Sequence, residues 1–342
     1  MKTFIRIKNN FISIIFVLFI PFLVIFINDN LLATKQGIKL WANNVLPSLF
    51  PFLVASELLS YTNIVNYLSR KFNFIMRPLF NLPGLSIFAF ILGIISGYPV
   101  GAKVVCNLYN NHQCSKDEAE RMLPLCNNSS PLFIIATVGI SMFGSSKIGF
   151  LLFFIHILSS IIIGFLLGTY SKITTSNMNY NKTLYYTRNP IIRISDLGQI
   201  LQKSIISSIK SVLIIGGFIT IFSVIISILK CTKLLLPISI ILSKILNSRI
   251  DLIESFCYGI IEFTNGLKFL TSINLKNINI ILSMASALLG FGGLSVLLQV
   301  LGIISSSKLS IKKYLVGKIL QGILAGFLTY ILFICSIFNL NI

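Results

Sequence analysis

Five long apolar runs decide what this chain can fold into: Phe11 to Ile27, Ile148 to Leu167, Ser211 to Leu229, Ile278 to Ile304 and Tyr314 to Phe338. Each is close to or longer than the roughly 20 residues an α-helix needs to cross a hydrocarbon core. A large soluble core can hide one such run, but not five. Charged residues make up only 11% of the 342 positions, about half the share of a soluble domain. The chain therefore reads as an all-α, multi-pass integral membrane protein whose first partner is the lipid bilayer.

The net charge of +19 fits that reading. Basic residues concentrated on one face would suggest nucleic acid. Here they are spread through short connectors, as the positive-inside rule requires, and no nucleic-acid partner is expected. The six cysteines form no CxxC pair and there are only two histidines, His112 and His156, so neither a metal site, a disulfide framework nor a cofactor is expected. The basic stretch Met1 to Lys8 leads into an apolar run too long for a signal peptide and without a small-residue cleavage site, so residues 1–30 read as a retained transmembrane helix.

An internal repeat follows. Gly93-Ile94-Ile95 recurs as Gly259-Ile260-Ile261, and Gly101-Ala102-Lys103 as Gly266-Leu267-Lys268. Gly164-Phe165-Leu166 recurs as Gly326-Phe327-Leu328, with His156 and Lys318 eight residues upstream, and Ser130 falls opposite Ser295. All offsets lie between about 162 and 166 residues, so the matches keep order and spacing. The repeats are expected at 38–170 and 197–338, joined by a cytoplasmic linker at 171–196.

Each copy has an apolar helix (Asn43 to Leu59; Ser207 to Leu229), then an apolar stretch with a polar, glycine-bearing tip. The arms around each tip are too short to span, which predicts re-entrant hairpins. A segment broken at Cys126 to Pro131, or at Gly290 to Gly293, comes next, and an unbroken helix closes the copy. Tracing the chain from an inner N-terminus puts 16 Lys/Arg in inner segments and 8 in outer connectors. In that trace the copies start on opposite faces, which makes them inverted-topology repeats.

Inverted repeats with interrupted helices are a transporter signature. Broken backbone survives in hydrocarbon only where protein or a wet cavity satisfies its N–H and C=O groups. The tips and breaks are thus expected to line one cavity, where half-helix N-termini favour an anion. The candidate substrate-binding residues are Ser96, Gly97, Tyr98, Pro99, Gly101 and Lys103 at the first tip and Asn127, Asn128, Ser129 and Ser130 at the first break. Glu262, Phe263, Thr264, Asn265 and Lys268 at the second tip and Ser295 after the second break complete the set. Each has a plainer reading: the lysines can snorkel to the interface, and the Asn/Ser run can hold helices together. Glu57 and His156 read as packing residues, and Lys116 to Arg121 as a solvated helix start capped by Ser115. No GxxxxGK[ST], HExxH or GxSxG pattern occurs, so ATP coupling and an enzyme activity are not expected. Facilitated diffusion or coupling to a proton or sodium ion remains.

Ser96-Gly97-Tyr98-Pro99-Val100-Gly101-Ala102-Lys103, with Leu125 to Ile134 and the upstream stretch Leu40 to Phe52, resembles the sporulation integral membrane protein family of the YlbJ type. That family carries two copies of a nucleoside-recognition, or gate, domain, and Glu262-Phe263 is similar to the Glu-Phe pair of concentrative nucleoside transporters. The resemblance implies a role in endospore formation at the spore cortex stage, expression in the mother cell, a place in the outer forespore membrane, and export of dipicolinic acid from the mother cell toward the forespore. Lys103, Lys268 and helix N-termini suit that planar dianion. Glu262 is left with three roles: pairing with a lysine, carrying a proton, or touching the pyridine nitrogen when protonated. A carrier of nucleosides or other small metabolites, and a non-transporting spore-assembly protein or membrane enzyme, stand as alternatives.

Overall fold

The computed structural model describes residues 13, 17–62, 64–174, 196–274 and 278–334. Residues 1–12 and 14–16 of the expected first span, most of the linker and the last residues of the final apolar run lie outside them. All regular structure among the described residues is helical.

Helix α1 (Val17–Ile25) turns by 98° into the helical stretch Ile27–Val45. That stretch contains α2 (Ile27–Leu40) and a π-helical turn, Trp41–Val45, which leads without a break into α3 (Leu46–Ser60). Pro47 has no N–H to close the ordinary helical bond; the turn widens here, with the Leu46 N–H reaching Trp41 O. The expected helix at Asn43 to Leu59 therefore begins at Ile27. The composite rod lies antiparallel on α9 (Leu197–Cys231): Gly37 closes on Thr220 and Ser223, the Trp41 indole donates to Val212 O at 3.0 Å, and Glu57 meets Ser207. Each rod is about 50 Å long, so its ends project beyond a hydrocarbon core of about 30 Å.

Helix α4 (Ile64–Phe80) has its apolar residues on one side and carries Arg70, Lys71 and Arg77, as suits a helix lying in a membrane interface. A helical hairpin follows, α5 (Ser86–Ser96) and α6 (Val100–Asn110), with arms of 11 residues each. Helix α7 (Lys116–Cys126) ends at an extended segment, 127–130, followed by a π-helix, Leu132–Met142. The unbroken helix α8 (Ser146–Thr174) comes next. After α9 and the short α10 (Leu236–Ile245), a second hairpin forms from α11 (Ile250–Ile261) and α12 (Phe263–Thr271). Helices α13 (Ile278–Phe291) and α14 (Gly293–Ser305) are separated at Gly292, and α15 (Lys312–Ile334) ends the fold.

Four helical segments are long and apolar enough to cross a membrane, Ser146–Ile173, Leu197–Cys231, Ile278–Ser305 and Lys312–Phe333, and the bent pair at the N-terminus makes a fifth. Their outer faces expose large apolar side chains such as Phe150, Phe154, Leu213, Ile323 and Phe327, which water would not tolerate in such number but lipid does. The chain is a multi-pass integral membrane protein. Inside, α13 and α15 approach through small residues: Gly290 meets Gly322, Gly326 meets Ala287, and Ser286 donates to Ala325 O at 3.2 Å. Close backbone approach takes the place of the hydrophobic drive that lipid cannot supply.

The first turns of α7 differ from their expected solvation. Ser115 caps the helix as expected, with its hydroxyl accepting the Glu118 N–H at 3.3 Å. Glu118, Glu120 and Arg121, however, are buried. Their partners come from elements remote in sequence: Arg77 donates to Glu118 at 2.7 Å, the Ser310 N–H to Glu120 at 2.9 Å, and Arg121 to the carbonyls of Phe80 and Asn81. A charged run is buried when every charge finds such a partner.

Candidate functional site

Both hairpins close on glycine. A Cβ at Gly93 or Gly101 would lie 1.6 or 2.0 Å from the carbonyl oxygen of Cys126, so hairpin one sits directly on the end of α7. In hairpin two a Cβ at Gly266 would lie 2.1 Å from the Cα of Gly259. These are the two glycine pairs that match in the sequence repeat. The tips need unusual backbone as well: Gly97 has φ +79° at the first, and Gly292 has φ +83° at the second break, values that side chains disfavour.

Both tips, the first break and the first turns of α14 meet at one cavity of about 50 Å³. Gly97 and Tyr98 of tip one, Ser129 and Ser130 of the first break, Glu262, Phe263 and Thr264 of tip two, and Ser295 after the second break all line it. Ser130 and Ser295, opposite one another in the sequence repeat, thus face the same space. Phe133, Gln299 and apolar residues of α9 and of the α2–α3 rod complete the wall. Three rings cluster here: Tyr98 stands edge-on to Phe263 at 6.1 Å, and Phe133 lies 5.3 Å from Phe263.

The remaining candidates lie elsewhere. The Ser96 hydroxyl bonds that of Ser56 at 2.6 Å, behind the tip. Asn127 donates to the Tyr314 hydroxyl at 2.9 Å and Asn128 to Leu125 O at 2.7 Å, so both asparagines turn to the scaffold and not to the cavity. Asn265 donates to the Glu262 carboxylate and to Ser223. Pro99 and Lys103 line a second, larger cavity of about 450 Å³ with Asn107, Ser207, Lys210 and Ser306, and Gln299 lines both. There Lys103 is ion-paired with Glu57 and donates to Ser207 at 2.7 Å. Glu57 therefore does more than pack. Lys268 is exposed and lines neither cavity.

The helix N-termini divide into two kinds. Glu262 occupies that of α12, accepting the N–H groups of Thr264 at 3.1 Å and Asn265 at 2.7 Å, and Ser130 accepts the Phe133 N–H at 3.3 Å. Pro99 and Gly292 give α6 and α14 no side-chain cap, and the Ala102 N–H in the first turn of α6 donates to Asn127 Oδ1 at 3.4 Å. The Glu262 carboxyl group thus sits on the positive end of α12, whereas α6 and α14 carry no acidic residue in their first turns.

Behind the first break lies a polar network centred on two residues, Lys318 and Gln321, that were not among the candidates. Lys318 is wholly buried and donates to Asn128 at 3.2 Å and Gln321 at 2.7 Å. Gln321 donates to His156 O at 3.2 Å, and the His156 Nε2 accepts the Ser129 N–H at 3.1 Å. His156 and Lys318, matched by position in the repeat, thereby hold two adjacent residues of one break. The signal was present: Lys318 is a lone charge in an otherwise apolar run.

A family model described as "Gate: Nucleoside recognition" matches residues 42–173, from the π-turn before α3 to the end of α8. The sporulation integral membrane protein YlbJ of Bacillus subtilis (strain 168) is 32% identical over 311 residues, covering 86% of this chain and 75% of that protein. No solved structure matches the chain. The chain belongs to the family of sporulation integral membrane proteins typified by YlbJ.

Proposed function

We propose that this protein is a carrier that moves a small organic anion, dipicolinic acid, across the outer forespore membrane during sporulation, built as two inverted repeats around the central cavity. The observation that carries this reading is the convergence of both hairpin tips, the first helix break and the first turns of α14 on one space, with the repeat-equivalent Ser130 and Ser295 in its wall. Interrupted backbone at membrane depth is tolerated where it lines a substrate path. Membership of a sporulation family supplies the setting, and the rings of Tyr98, Phe133 and Phe263 suit a flat aromatic substrate. A space of about 50 Å³ holds water, not a pyridine ring, so one hairpin must move to admit the substrate. The larger cavity beside Gln299 leads away from it along α6, α9 and α14, the ends of which the charge trace assigns to the inner face.

A second reading, a nucleoside carrier, is favoured by the Glu262 carboxylate in the cavity wall and by the nucleoside-recognition description of the matching family. Proteoliposomes holding the purified protein, offered labelled dipicolinate and labelled uridine, separate the two. Uptake of dipicolinate is expected, together with dipicolinate-poor spores from a strain lacking the gene. Uptake of uridine alone would move the assignment to the second reading, and normal spore dipicolinate would remove the first.

A further inference from the structure

Lys318 lies in the second turn of α15 with no exposed surface. Its ammonium has neutral company: the side-chain oxygens of Asn128 and Gln321, and the Tyr98 ring, whose centroid is 5.2 Å away. No carboxylate among the described residues forms an ion pair with it. The titratable groups around it are Tyr98 on hairpin one, Cys126 at the end of α7, His156 on α8 and Tyr314 on α15 itself. Glu262, the acid of the central cavity, instead caps α12. A lysine taken out of water at this depth is retained where a charge is needed.

The position of that charge is informative. Tyr98 and Ser129 line the central cavity, and Lys318 lies directly behind them, against the Tyr98 ring and against Asn128, which precedes Ser129. One side-chain layer separates the ammonium from the space. Neither other candidate lysine offers this: Lys103 is neutralised by Glu57, and Lys268 is exposed. We propose that Lys318 is the counter-charge for the carried anion, the positive group that a substrate carboxylate meets when it enters the cavity. This rests on the carrier reading above and makes it more specific, since it requires an anionic substrate. Buried among neutral groups, the charge reaches the cavity with little screening by salt.

The test is equilibrium binding of dipicolinate and of uridine to the purified full-length protein, for the wild type, Lys318→Met, Lys318→Arg and Asn128→Asp. Lys318→Met removes the charge. Asn128→Asp keeps the lysine but gives it a carboxylate partner, and so remains informative where the methionine variant fails to fold. Both are expected to weaken dipicolinate binding by about tenfold or more, while Lys318→Arg keeps most of the affinity. A purely structural Lys318 predicts that Asn128→Asp, which adds an ion pair to the network, binds dipicolinate as the wild type does, and that result overturns the proposal. If the wild type binds uridine and not dipicolinate, the anion reading itself falls and this proposal with it. Loss confined to the variants cannot be confused with that outcome.

Discussion

Lys103 on α6 and Glu57 on α3 form an ion pair that Ser207 of α9 bridges, accepting from the lysine at 2.7 Å and donating to the carboxylate at 2.9 Å. Three helices from both halves of the chain meet at these side chains, on the wall of the larger cavity. The pair is mostly buried, with side-chain exposures of 28% and 18%. Its contribution should fall between exposed pairs, worth about 0–1 kcal/mol, and buried ones, where loss of a partner costs about 3–5 kcal/mol. Glu57→Gln and Lys103→Met should each lower stability by about 1–2 kcal/mol. The double variant should lose less than the sum of the two, read as unfolding midpoints in detergent. Strict additivity would mean that the pair does not hold α3 to α6.

Lys103 and Lys268 also show where reading along the chain stops. Each follows its hairpin glycine by two residues, about 200° around a helix, so both lysines point away from their hairpin partners. In the first copy α3 and α9 cover that side and supply Glu57 and Ser207; in the second the lysine is exposed. Local pattern made the two equivalent, and long-range packing made them different. The hairpins themselves were legible, because short arms and glycine tips are local features. The Glu57 partnership was not, since it joins residues 46 positions apart on different helices. Lys318 was visible as an isolated charge, but its ring of neutral partners is assembled from the break at Asn128, from Gln321 and from Tyr98, and no spacing rule connects them.

The glycines that seat hairpin one should be intolerant of any side chain. Gly93→Ala and Gly101→Ala place a methyl carbon against the Cys126 carbonyl, which is fixed backbone at the first break. Each should cost about 3 kcal/mol, the upper end for overpacking, and should reduce the folded fraction recovered from membranes. Gly198→Ala and Gly217→Ala, where nothing lies within 4 Å, should be neutral or slightly stabilising. Fluorescence-detected gel filtration across a temperature series measures all four. Equal midpoints for Gly93→Ala and Gly217→Ala would contradict the close seating.

Asp117, partly exposed in the first turn of α7, ties that helix to α15. Burial works to raise its carboxyl, but hydrogen bonds from Lys313 and Arg121, and their charges, outweigh burial and hold it below the usual carboxylate range. A carboxyl lowered in the folded state contributes stability that is fully present above its unfolded value, near pH 4, and is lost as pH falls through the folded value. The wild type should therefore lose stability below about pH 4 more steeply than Asp117→Asn. At neutral pH the variant should be the less stable of the two. Parallel acid profiles for the two proteins would show that the clamp between Asp117 and Lys313 contributes nothing.

The proposed inverted arrangement makes a prediction about sidedness. Reporter fusions in the 171–196 segment should be cytoplasmic, and fusions between Lys230 and Arg249, which join α9 to α11, should report from the opposite face. In the forespore membrane that opposite face is the space between its two membranes. Both fusions on one side would leave α9 without a crossing, although its 35 residues are more than enough for one, and would remove the inverted repeat.

The carrier reading needs one hairpin to move, and the attachment of hairpin one to α3 offers a way to stop that hairpin. Ser56 and Ser96 face each other across that contact with hydroxyl oxygens 2.6 Å apart, in a buried position near the tip. Ser56→Cys with Ser96→Cys, on a background in which the native cysteines are replaced, should form a disulfide on oxidation without displacing either helix far. If substrate enters by hairpin one parting from α3, oxidised proteoliposomes should lose dipicolinate uptake, and reduction should restore it. Each single-cysteine protein serves as control and should be indifferent to oxidant. A crosslinked protein that transports at the rate of its reduced form would show that α3 and hairpin one travel together. The opening would then belong to hairpin two, where the Glu262 carboxylate, bound to the start of α12, would have to move with it.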